Sequence, residues 1–208
     1  MKSNHSFDLL SCFPASAEPG KAFTSVTYSN LYFREPESRA DQTRMMSIVT
    51  TGAETGYYVD VFRSRKEKGG DKMHDYFYHN LGQTLTLTAA DGSDLNLQPT
   101  EELAFAGAHL YAYSYLYDKK VAATNKDVKA TFTIDMKDKD GDDIYMNLWI
   151  KGEPDREIFT ALAPMTEGLS RTPNMPYNIK EQPTLTFVAR QHGEAWNRPF
   201  VSIYEPST

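Results

Sequence analysis

Residues 128–150 hold the feature that most narrows what this 208-residue chain can fold into. Val128, Ala130, Phe132, Ile134 and Met136 alternate with Lys129, Thr131, Thr133 and Asp135. Ile144, Met146, Leu148 and Ile150 then alternate with Tyr145, Asn147 and Trp149. In an extended strand successive side chains point to opposite faces, so both runs read as half-buried strands. Between them stands Asp138-Lys139-Asp140-Gly141-Asp142, whose Asp-Gly step supplies the positive backbone dihedrals of a tight turn. The segment is a β-hairpin, and its apolar face needs a second layer to cover it.

The rest of the chain repeats the theme. Strand-like runs occupy 22–33, 44–51, 56–65, 74–79, 84–88, 108–117, 157–163, 183–190 and 199–204, separated by clusters such as Ala90-Asp91-Gly92-Ser93-Asp94. Helical signal is confined to 99–106, where Pro99-Thr100-Glu101-Glu102-Leu103 resembles a capped start but Gly107 follows closely. Thirteen Tyr and 11 Phe favour a pleated surface over a helical bundle. No internal repeat and no Ser/Gly/Pro-rich linker divides the chain, and 163–176 reads as an ordered crossing loop. The expected fold is all-β, an antiparallel two-sheet β-sandwich formed by residues 1–208 as one domain.

Charge and composition remove several function classes. A net charge of −6 and a pI near 5.4 oppose a protein that gains affinity by neutralising phosphates, so nucleic acid is not an expected partner. No apolar run reaches the ~20 residues of a membrane span, and the mean hydropathy is −0.56. The first residues, Met1-Lys2-Ser3-Asn4-His5-Ser6, carry no secretion signal, which is expected of a cytoplasmic protein or of a mature chain or fragment. The single cysteine, Cys12, excludes an internal disulfide and a Cys-rich zinc site. Phosphate loops, His-Glu-x-x-His pairs and Gly-x-Ser-x-Gly elbows are absent.

Three polar or aromatic groupings remain. Residues 57–83 read as strand, basic loop and strand, with Arg63, Arg65, Lys66, Lys68 and Lys72 offset only by Glu67 and Asp71. Such a loop is either a solvated hairpin tip or a contact for a polyanion. In the following strand His74 shares a face with Tyr76 and Tyr78, and His79 lies on the other, so the two histidines do not ligate one metal unless a bulge intervenes. Arg63, His74, Tyr76 and His79 are candidate substrate-binding residues; the alternative is hydrogen bonding within a sheet. In 108–117 the alternation puts Tyr111, Tyr113 and Tyr115 on one strand face, which suits either a sugar-stacking platform or a stripe between packed sheets. The 138–142 turn resembles the start of a calcium loop but has Trp149, not glutamate, at the twelfth position, and it fits a hairpin without metal.

Two stretches together resemble the C-terminal β-region of the heparinase II/III-like polysaccharide lyases. The first comprises Tyr58-Val59-Asp60-Val61-Phe62-Arg63, Gly69-Gly70, His74-Asp75-Tyr76 and His79. The second runs from Pro183 to Pro206 and includes Gly193, Trp196, Arg198-Pro199-Phe200 and Glu205-Pro206. The resemblance implies a supersandwich-like stack of antiparallel sheets joined to an N-terminal α/α-toroid domain. It implies β-elimination on uronate polysaccharides, in which a base removes the proton α to the carboxyl and the 4-linked sugar leaves. It also implies periplasmic or secreted action for the full-length protein, an acidic polysaccharide or oligosaccharide as partner, and zinc in the full-length enzyme. This chain lacks the toroid and begins after the family's metal-site histidines, so no catalytic residue and no cofactor is assigned to it. The expectation is a β-domain inactive by itself; the competing class is a stand-alone carbohydrate-binding or structural module. Trp196, between Gly193 and Pro199, is expected to anchor the final bend by burial.

Overall fold

The structure is a computed structural model and describes residues 6–14, 25–104, 108–137, 140–166, 179 and 181–208, with the backbone alone at 108–111. The described residues form antiparallel strands in two sheets, as a β-sandwich requires, and the chain divides into two compact units. One comprises residues 1–74 and 191–205, the other 75–190 and 206–208.

The first unit is a sheet in the order β1-β2-β3-β4-β13, from β1 (Asp8–Phe13), β2 (Val26–Arg34), β3 (Asp41–Thr50), β4 (Gly56–Arg65) and β13 (Ala195–Ser207). β2 and β3 pair without interruption from Val26↔Val49 to Arg34↔Asp41, and β3 and β4 from Asp41↔Arg65 to Thr50↔Gly56. Asp60 is only 1% exposed; its carboxylate accepts from Arg44 Nε at 3.0 Å, and this pairing offsets the cost of burying a charge on β4. Phe62 stacks on the fully buried Phe200 across the β4–β13 pair.

The second unit holds most of β5 (Met73–Asn80) and of β12 (Thr184–His192), with β6 (Thr84–Ala89), β7 (Gln98–Pro99), β8 (Tyr117–Ala123), β9 (Val128–Ile134), β10 (Ile144–Ile150) and β11 (Arg156–Ala163). β10, β9 and β6 are neighbours in one sheet, and the other runs β5-β12-β11-β8-β7. The hairpin read from the sequence forms with Ile144↔Ile134 at one end and Ile150↔Val128 at the other. Val128, Ala130, Phe132, Leu148 and Ile150 are buried on its inner face, and Tyr78 of β5 meets Phe132 edge-on at 5.3 Å, joining the two layers. β12 is buried on nearly every residue, because both its faces are covered. The outer cover is local: Leu103, Tyr113 and Leu116 pack with Phe77, Val121, Phe159 and Val188.

That cover corrects the expected strand over 108–117. Ala108–Tyr115 is a 3-10 helix, and β8 begins only at Tyr117. With three residues per turn, Tyr113 and Leu116 face the sheet together while Tyr115 is 57% exposed, and Leu116 N–H donates to the Tyr113 carbonyl at 3.1 Å. The helical start expected at 99–106 does not form through residue 104; β7 occupies Gln98–Pro99. The expected crossing loop 163–176 lies outside the described residues from 167 onward.

Candidate functional site

In the first unit the basic hairpin base and the last strand meet. β13 pairs Ala195 with Ser64 and Phe200 with Phe62, so Trp196–Pro199 bulge out opposite Arg63 alone. Gly193 enters this bulge with φ +77 and donates its N–H to the Lys72 carbonyl at 3.0 Å. Glu194 accepts from the amides of Trp196 (2.6 Å) and Asn197 (2.8 Å). Desolvation raises the Glu194 pKa, but those two N–H groups outweigh it and hold the carboxyl below its ordinary range. Arg63 Nη1 donates to the Trp196 carbonyl, and the Arg65 guanidinium lies over the Trp196 ring, 4.2 Å from its centroid. Trp196 is consequently half-buried under an arginine, which corrects the expectation of a fully buried anchor.

The basic loop is tied at its base and open at its tip. Asp71 Oδ1 accepts from Lys66 N–H at 2.5 Å and lies 2.6 Å from His74 Nε2. Residues 67–70 are exposed. Arg65, whose guanidinium covers the Trp196 ring, is also paired to Glu67 at 3.0 Å, and Lys66 and Lys68 follow it in the same loop. Guanidinium groups bind carboxylates in a bidentate fork, and an indole packs on the C–H face of a sugar, so this surface has the chemistry for an acidic saccharide.

The remaining candidates are held elsewhere by structural contacts. Tyr76 is 3% exposed, in the core of the second unit. Neighbouring Asp75 is the hub of a buried network: Arg190 Nε and Nη2 donate to it at 2.7 and 2.9 Å and Tyr113 Oη at 2.7 Å, while Arg190 Nη1 reaches Glu102 at 3.0 Å. Burial, then the Asp75 charge, push the Tyr113 phenol well above its ordinary pKa, so it stays a neutral donor. His79 Nδ1 lies 2.8 Å from Thr186 Oγ1, and desolvation lowers its pKa. Thus His74 and His79 take separate partners. Tyr113 and Tyr115 share no strand face, which corrects the stacking platform, and the Tyr111 side chain lies outside the described residues. Among the described residues no three His, Cys, Asp or Glu side chains converge as metal ligands, and no helix is long and apolar enough to cross a membrane.

No family model matches the chain. Over 184 residues it is 33% identical to an endo-acting ulvan lyase of Formosa agariphila, an alignment covering 86% of this chain and 21% of that protein. The chain is a relative of a polysaccharide lyase. It spans about a fifth of that relative's length. Sequence reasoning singled out Arg63 but missed its pairing with the Trp196 bulge. The two residues are 133 positions apart, and only the mid-strand Pro199 hints at an interrupted ladder.

Proposed function

We propose that this chain is the β-sandwich region of a heparinase II/III-like polysaccharide lyase, packed on an N-terminal α/α-toroid that supplies the catalytic residues. In this reading the full-length protein acts outside the cytoplasm and cleaves uronate-containing polysaccharides by β-elimination, and the chain alone does not cleave. The observation that carries the reading is the 33% identity to the ulvan lyase across 86% of the chain. The β-sandwich and the basic-aromatic bulge of the first unit are consistent with it. The chain's part is to hold an acidic polymer, with the Arg65 guanidinium stacked on Trp196 and the loop cations Lys66 and Lys68 offsetting its charge.

Reading the encoding gene through on both sides of the 208 codons tests the architecture. The expectation is several hundred helix-patterned residues upstream. A frame confined to this chain would instead favour the stand-alone carbohydrate-binding module.

A further inference from the structure

We propose that a cleft in the second unit, remote in sequence from the basic bulge, binds one ring of an acidic saccharide. β6 is the terminal strand of its sheet, and the space beside it is walled by β8 and β11 of the other sheet. The cleft has a volume of about 280 Å³ and is lined by Thr84, Leu85, Asp118, Lys120, Thr160 and Leu162. That size is just below the ~300–1,000 Å³ range of small-molecule pockets, suited to a single ring rather than a long chain.

The walls are built for more than packing. β8 and β11 pair Lys120 with Thr160 and Tyr117 with Leu162, so Asp118 and Lys119 together oppose Ala161 and form a bulge at the cleft. Asp118 sits there at φ +47, a left-handed conformation that glycine adopts without cost and most side chains avoid. The strained position carries a carboxylate that lines the cleft. Thr84, Asp118 and Lys120 are exposed at the cleft, so their polar side chains are open to a ligand there, and Thr160 lines it beside them. The rim is fixed by contrast: Gln83 bonds the Asp135 backbone at both amide atoms (2.8 and 3.2 Å), and a Cβ on Gly82 would meet the Thr133 carbonyl at 2.6 Å.

A solvent-exposed carboxylate and an ammonium, two hydroxyls and leucine walls complement a uronate ring. Asp118 accepts from ring hydroxyls, Lys120 pairs with the sugar carboxylate, and Leu85 and Leu162 contact C–H groups. This inference rests on the polysaccharide reading above for the class of ligand, and it assigns a subsite which that reading does not require.

The test is amide chemical-shift titration of the 208-residue chain with short oligosaccharides released from ulvan, using cello-oligosaccharides as the neutral control. Shifts at Thr84, Asp118, Lys120 and Thr160 are expected with the acidic probe. Asp118→Asn keeps a residue that tolerates positive φ, and it should weaken binding about tenfold or more. Lys120→Met should erase the preference for the acidic over the neutral probe. No shifts in the cleft, or unchanged affinity in both variants, would overturn the inference. Lyase assay of the full-length gene product separates the two readings: cleavage without cleft binding defeats only this inference, and cleft binding without cleavage defeats only the lyase assignment.

Discussion

Replacing Asp75 by alanine should be among the most damaging single changes in the chain. Its side chain is 9% exposed and accepts three hydrogen bonds, two from Arg190, which is itself 7% exposed, and one from Tyr113. Once the carboxylate is gone, Arg190 keeps, among the described residues, Glu102, half in solvent, and the face of Phe159, 5.2 Å from the guanidinium. Breaking a buried pair by removing one partner costs about 3–5 kcal/mol, because the remaining charge stays desolvated. Against a total stability of ~5–15 kcal/mol this is a large share. Urea unfolding followed by tryptophan fluorescence should therefore show a much lower midpoint for Asp75→Ala. The double variant Asp75→Leu/Arg190→Met should recover much of the loss, since apolar replacement of both partners removes the unpaired charge. A cost under about 1 kcal/mol for Asp75→Ala would refute the buried-network argument.

Trp196→Ala should cost about 1–3 kcal/mol in the same assay, below the ~3–5 kcal/mol of a fully buried ring, because Arg65 and not the core covers it; failure to fold would return Trp196 to the core. Lys68→Ser at the exposed loop tip should change stability by less than about 0.5 kcal/mol, whereas Asp71→Ala, which strips the acceptor from Lys66 N–H and His74, should cost about 1–3 kcal/mol. Equal effects would show that the loop tip is packed. Desolvation lowers the His79 pKa below 6.5, so the unfolded chain takes up the proton first and stability falls as pH drops through that value. The pH-stability curves of the parent and His79→Gln should diverge below about pH 6.5; parallel curves would contradict the shift.

The fold was legible wherever one face of a strand is buried and the other wet. Across Val128–Ile134 and Ile144–Ile150 the expected hairpin and the observed pairing agree. It was illegible at 108–117, where Tyr113 and Tyr115 fit a period of two, but the packing residues Tyr113 and Leu116 follow a period of three. Alternation there had no sheet to serve, because the segment covers β12 and is not a neighbour of it. β1 escaped notice because Leu9, Leu10 and Phe13 are exposed, so its pattern carries no buried face. The candidate site was half legible: the cations of 63–72 announce themselves by composition, whereas the bulge that brings Trp196 to them is a long-range event. The cleft at Asp118 left no sequence signal, since a left-handed Asp looks like any other.

The most direct test of the account is to express the full-length gene product and the 208-residue chain separately and follow the ultraviolet absorbance of unsaturated uronate ends on ulvan, alginate and heparin-like substrates. The account predicts a rise on at least one of these polymers with the full-length product and none with the chain alone. A full-length product that binds these polymers yet leaves every one intact would contradict it.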